Sequence, residues 1–223
     1  MFEDTKWGYS KPDLGENTNL SYYFNDNEIV TYSLSADLYG QPLHEKEREA
    51  ILSSMEAFAS MTGLTFVETE FEGVANISFL MIDNVDSDSC LGWANYPGTS
   101  PFGHTYLTVN NEMYSLEDNP EAVEPGSYYY LTFTHELGHA LGMVHPHDGS
   151  VQFPCVSYDG QTDGGDHNLI STPWTVLSYN DVTAKKELSP NSHASYGYLE
   201  NLGTFDVATA QYLYGPNLDT SAD

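Results

Sequence analysis

Basic side chains are scarce in this chain of 223 residues: 6 Lys and Arg face 33 Asp and Glu, for a formal net charge of −27. That deficit argues against a polyanion as partner, because holding a phosphate backbone or an anionic lipid surface relies on Lys and Arg. Nucleic acid and membrane are therefore not expected partners. Long apolar runs are missing as well, and nothing approaches the roughly 20 residues that a spanning helix needs. Residues 1–20 carry no basic-then-apolar leader pattern, so the chain reads as a mature or trimmed form. Cysteine is nearly absent: Cys90 and Cys155 fit one bridge or two buried thiols, and sequence alone leaves both open. No internal repeat or low-complexity block breaks the chain.

What is present suits a single compact domain with a real core. The acidic excess attracts cations, so calcium held in acidic loops and a merely solvated acidic surface both fit. Residues 28–34 alternate like a strand, after an opening stretch rich in Asn, Asp, Gly and Tyr that reads as extended and irregular. From Leu43 to about Met61, Ile51, Met55, Phe58 and Ala59 recur at helical spacing, with Gly63 just beyond as a stop signal. That apolar stripe is read as core. Strands are expected at 64–68, 75–81, 90–96 and 105–109, with a loop carrying Asp83, Asp86 and Asp88 between the second and third. A helix is expected from Tyr128 to Leu141, stopping at Gly142. Residues 146–203 are rich in Gly, Pro, Asp, Ser and Asn and read as irregular, before a short terminal helix at 205–214 ending at Gly215-Pro216.

The chemistry concentrates in His135-Glu136-Leu137-Gly138-His139-Ala140-Leu141-Gly142-Met143-Val144-His145. Two histidines four apart on a helix project from one face, so His135 and His139 can grip one ion together. Zinc suits imidazole, and a catalytic zinc takes three protein groups and keeps a position open. A helix continued to residue 145 would point its side chain away. Gly142 permits the chain to turn and bring His145 back as the third ligand, and Pro146 blocks helical continuation. Glu136 sits beside the first ligand, where its carboxylate can take a proton from metal-activated water and pass it to a leaving amine. The five-position pattern has a chance expectation on the order of 10⁻⁴ from the chain's own residue frequencies, which separates it from a bare His-Glu-x-x-His match.

This extended motif is the signature of the metzincin metalloproteases, and the chain resembles the catalytic domain of a serralysin. His145-Pro146 follows that family's pattern, and Trp174-Thr175-Val176-Leu177-Ser178-Tyr179 is similar to the tight turn beneath its zinc. Residues 204–215 resemble the helix that closes its catalytic domain. The similarity spans most of the chain, weakly before residue 127 and strongly after it. The resemblance implies an α/β (α+β) metzincin fold: a twisted mixed sheet with two helices in an upper part, residues 1–145, and an irregular lower part, 146–223, with a C-terminal helix and a cleft between. It implies one catalytic zinc, secretion, and endoproteolysis of extended polypeptides, with protein or peptide substrates and a proteinaceous inhibitor as partners; a monomer is the default expectation. Tyr179 aligns with the tyrosine that ligates zinc at rest and swings away to stabilise the oxyanion. Trp93, Ala94 and Asn95 align with the edge strand on which substrate adds as a further strand.

Two departures stand out. Leu177 occupies the position of the methionine under the metal, a swap of similar volume that keeps an apolar floor. No glycine- and aspartate-rich nonapeptide repeats follow residue 215, and residues 159–166 resemble one only superficially, as a turn cluster. A catalytically weak, zinc-stabilised binding module and a self-processing domain of a larger exported protein are the alternative readings. An acidic calcium-dependent surface protein is a third. Glu136 argues against the first, since a purely structural site needs no base. His44, His104, His147, His167 and His193 have no ligand spacing and receive no role, beyond His147 and Asp148 standing next to the pocket mouth.

Overall fold

The structure is a computed structural model that describes residues 17–27, 29–33, 36–82, 91–100, 105–110, 122–148, 165–180 and 197–218. Seven strands form one mixed sheet: β1 (Thr18–Asn25), β2 (Ile29–Ser33), β3 (Ala36–Gln41), β4 (Leu64–Glu68), β5 (Ile77–Ile82), β6 (Gly92–Ala94) and β7 (Thr105–Asn110). Among the described residues three α-helices accompany them: α1 (Glu45–Met61), α2 (Tyr128–Ala140) and α3 (Thr204–Tyr214). β4, β1, β5 and β7 run parallel in that order, and β6 closes that edge antiparallel to β7. The β2–β3 hairpin adds antiparallel to the far end of β5, pairing Gly40 with Ile82 and Gln41 with Met81. This is the mixed α/β architecture expected from the sequence, with two helices ahead of residue 145 and one at the end.

β1 lies in a stretch that the sequence suggests is irregular. Its Leu20, Tyr22 and Phe24 are buried while Asn19 faces out and Ser21 and Tyr23 are half-buried. The period-2 pattern is there, but it is carried by tyrosines and flanked by Asn, which blurs a composition-based reading. β3 was not anticipated either. β6 is shorter than the expected strand at 90–96. β5, buried at all six positions, is the central strand that a continuous apolar run predicts.

α1 begins two residues later than its apolar pattern suggests, because His44 caps it. Its Nδ1 accepts from the Lys46 N–H at 3.2 Å, and Glu47 reaches back to the His44 N–H at 2.7 Å, completing a capping box. His44 therefore has a structural place that spacing did not suggest. Glu47 is almost wholly buried and also accepts from the Tyr129 hydroxyl at 2.6 Å, tying the start of α1 to the first turn of α2. The helix ends on Thr62 in an extended conformation, not on a glycine cap at Gly63.

Ile51, Met55 and Phe58 of α1 pack with Phe79 and Met81 of β5 and with Tyr129, Phe133 and Leu137 of α2 in one core. Phe58 and Tyr129 have no exposed surface. α3 joins this core through Ala210, Leu213 and Tyr214, and the Tyr214 hydroxyl donates to Leu141 O at 2.7 Å, fastening the last helix to the end of α2. The loop with Asp83, Asp86 and Asp88, the residues Cys90, Cys155, His104 and His193, and residues 159–164 lie outside the described residues.

Candidate metal centre and active site

α2 starts at Ser127, whose hydroxyl accepts from the Tyr130 N–H at 3.1 Å. From Tyr129 to Ala140 every residue is buried, so this helix threads the core with no solvent face. It ends on a Schellman motif: Met143 N donates to Gly138 O at 3.0 Å and Gly142 N to His139 O at 2.8 Å. Gly142 has φ of 92°, a conformation that a side chain resists. The turn expected at this glycine is therefore present. It has a second effect, because the Met143 carbonyl folds back to accept from His139 Nδ1 at 2.8 Å.

The chain reversal brings the three histidines together. The Nε2 atoms of His135, His139 and His145 lie 3.1 Å apart in each pair. His135 Nδ1 meets Val176 O at 2.8 Å, and a carbonyl only accepts, so in His135 and His139 alike the proton sits on Nδ1. Their Nε2 lone pairs then point at one another with no proton between them, an arrangement that a cation relieves. A triangle of edge 3.1 Å places its centre at 3.1/√3, about 1.8 Å, from each corner, just inside the roughly 2.0–2.1 Å of a zinc–imidazole bond. The trio thus fits one zinc ion.

Burial drives the electrostatics. Desolvation, reinforced by the charges of the neighbouring imidazoles, holds His135 well below the ordinary histidine range. Desolvation, with His145 next in weight, lowers His139 to about 4. Both rings are therefore neutral donors at neutral pH. Glu136 is 6% exposed, and desolvation pushes its carboxyl up to about 8. Among the described residues its Oε2 has no hydrogen-bond partner, so the group expected to act as base has an oxygen that none of them claims.

Gly92 of β6 explains how that carboxylate fits. A Cβ added there would sit 2.8 Å from Thr108 O and 3.2 Å from Glu136 Cγ. The edge strand lies directly over the base, and only a residue without a side chain admits both. Trp93 and Ala94 pair with Thr108 and Leu107, and both residues and Asn95 are half-buried. Tyr96, just past the strand, meets His139 edge-on with centroids 5.8 Å apart.

The turn at residues 174–179 lies against the site as the resemblance implies. Val176 O braces His135, and Leu177, fully buried, lies so close to α2 that a Cβ on Gly138 would be 3.0 Å from its Cδ2. Leu177 therefore fills the apolar floor. Tyr179 is 53% exposed and stacks on His135 at 5.6 Å, with His145 at 4.5 Å. The turn is held from below by Asp206 of α3, which accepts from Thr175 Oγ1 at 2.6 Å and from the Val176 and Gly203 N–H groups at 2.8 Å each.

Asp148 is more than a neighbour of the pocket mouth: its Oδ2 meets His145 Nδ1 at 2.6 Å. Burial pushes its carboxyl up, but the hydrogen bond and the charges of His145, His147 and His139 outweigh that and leave it below the ordinary aspartate range. Asp148, Asp206 and Gly92 are the site residues whose contacts the sequence pattern did not reveal. Among the described residues, the groups of three or more His, Cys, Asp and Glu able to hold a metal are the three histidines and the overlapping set His145, His147 and Asp148.

A buried helix carrying two histidines, a glycine-capped reversal supplying the third, and a turn packed beneath them define the metzincin class of zinc metalloproteases, whose cofactor is zinc. Within it the chain belongs to the matrixin family, whose profile matches residues 23–169. It is similar to serralysin B of Dickeya chrysanthemi, 29% identical over 215 residues, covering 93% of this chain and 41% of that protein. It is also similar to a serralysin of Photorhabdus luminescens, 26% identical over 99% of this chain and 43% of the relative. A third relative, metallopeptidase AprA of Pseudomonas marginalis, is 28% identical over 80% and 35%. The chain thus spans under half the length of these curated relatives.

Proposed function

We propose that the chain is a secreted endopeptidase that hydrolyses internal bonds of extended polypeptides, with His135, His139 and His145 as the zinc ligands and Glu136 as general base. One observation carries this reading: three imidazole lone pairs converge beside a buried carboxylate whose Oε2 has no partner among the described residues. The chemistry zinc supplies when bound is polarisation of the scissile carbonyl and acidification of water. Glu136 takes the proton from the attacking water and passes it to the leaving amine. Its raised affinity for protons in a dry pocket suits that shuttle. The Tyr179 hydroxyl donates to the oxyanion as the carbonyl becomes tetrahedral, a role supported by its ring lying across those of His135 and His145. β6, at Trp93 and Ala94 with Asn95 just past it, is the strand alongside which an extended substrate lies, a reading supported by the approach of Gly92 to the Glu136 side chain. Residues 1–145 form the upper part of one catalytic domain and residues 146–223 the lower. The resemblance to serralysins supports a place of work outside the cell.

The test is hydrolysis of a quenched casein substrate by wild type and Glu136→Ala at equal zinc content. Loss of a general base lowers kcat by roughly 10²- to 10⁴-fold. A mutant as active as wild type at equal zinc would remove Glu136 from the mechanism. An inactive wild type holding one zinc would remove the endopeptidase reading.

A further inference from the structure

We infer that Asp148 is a positioning residue for the metal centre, fixing the ring of His145 and strengthening its hold on a divalent cation; the inference rests on the zinc reading above. His135 and His139 stand on α2, which projects both from one face, and main-chain carbonyls brace their rings. His145 lies three residues past the glycine cap and has no helix to aim it. Its ring is set by contacts alone: Nδ1 to Asp148 Oδ2 at 2.6 Å, a parallel stack on His147 at 5.0 Å and 7°, and the tilted ring of Tyr179 at 4.5 Å. Of these only the Asp148 contact is directional. It fixes the proton on Nδ1 and so leaves the Nε2 lone pair for the shared point.

The three braces differ in charge. Val176 O and Met143 O are neutral main-chain acceptors, whereas Asp148 is a carboxylate. A carboxylate accepting from Nδ1–H makes the opposite nitrogen a stronger donor, and it adds a negative charge that three neutral imidazoles lack. Its placement is local and independent of distant packing. The Asp148 N–H donates to His145 O at 3.1 Å, closing the turn that presents the carboxylate to the ring three residues back. Its other oxygen lies 3.9 Å from His147 Nε2, so the carboxylate faces an imidazole on both sides. The Asp148 side chain is 40% exposed, so its end of the pair is hydrated and this brace can be altered without opening the core.

Zinc affinity, measured by competition with a chelator in wild type, Asp148→Asn and Asp148→Ala, tests the inference without reference to turnover. The alanine variant should bind zinc roughly 10- to 100-fold more weakly. The asparagine variant, whose amide oxygen still accepts from Nδ1–H but carries no charge, should fall between the two. Melting temperatures of the metal-free forms should coincide, which separates loss of positioning from loss of fold. Wild-type affinity in Asp148→Ala would overturn the inference and leave the zinc reading standing. Two zinc ions per wild-type chain, falling to one in the alanine variant, would also overturn it by making Asp148 a ligand. A wild type that binds no zinc would sink both.

Discussion

Gly92 is the residue on which the placement of Glu136 and that of β6 both depend. It is partly buried at the edge of the sheet, with Thr108 O below and the Glu136 side chain alongside. In Gly92→Ala the new methyl meets a main-chain oxygen at 2.8 Å, so either the strand lifts or Glu136 moves. A displacement of about 1 Å at a reacting group can cost 10²-fold, so kcat should fall about 10- to 100-fold while zinc stoichiometry stays at that of wild type. Steady-state kinetics beside metal analysis checks this, and unchanged kcat would show that the strand yields harmlessly. The convergence of the three histidines was legible in sequence because a helix makes i and i+4 neighbours and a glycine marks the reversal. Gly92 was not, since its partner lies 44 positions away and a glycine in a strand signals only that something comes close. The same holds for Val176 O, which braces His135 from 41 residues downstream.

Elements meet at Asp206, the third residue of α3, which caps its own helix through Gly203 N–H and holds the turn below the site through Thr175 and Val176. Val176 therefore transmits this anchorage: its N–H is held by Asp206 and its carbonyl orients His135. The carboxylate is fully buried. Desolvation raises its pKa to about 6, against the opposing pull of its three hydrogen bonds. The folded chain then binds this proton more tightly than the unfolded chain, in which aspartate titrates near its ordinary value of about 4. As pH rises from about 4 to 6 the unfolded state releases the proton first, so this group's contribution to stability falls across that window, by up to about 3 kcal/mol. Asp206→Asn, nearly isosteric, should remove that dependence. Urea unfolding of both proteins from pH 4 to 7 should give a difference in stability that shifts in favour of the variant as pH rises; a constant difference would refute the assignment. Helices α2 and α3 were legible nearly to the residue because Gly142 and Gly215 stop them. α1 was read two residues early at its start, because a histidine caps it there, while its end at Met61 was legible although Thr62 and not a glycine caps it; β1 was missed because tyrosine carries its buried face.

At the scale of the whole molecule, a charge of −27 has few internal cations to answer it. Among the described residues the Lys and Arg pairs are Lys46 with Glu124 and Arg48 with Asp26, both at the surface near the start of α1. Composition made this imbalance plain, and it argued against nucleic acid and anionic lipid as partners before any fold was known; it says nothing of how the fold holds together under it. The tie-downs that do so are mostly uncharged: the Tyr214 hydroxyl on Leu141 O, Gly63 N on Gly215 O at 3.0 Å, and Asn217 N on Met61 O at 3.2 Å. Repulsion among the acidic groups works against compactness, and added salt screens it without weakening those bonds. Raising sodium chloride from about 0.01 M to 0.15 M shortens the screening length from about 30 Å to about 8 Å. The melting temperature of the metal-free chain should therefore rise over this range. Sodium is chosen because a divalent cation would bind specifically and mimic the effect. A melting temperature that stays flat or falls would mean that pairing among the surface charges, and not their repulsion, sets the stability at neutral pH.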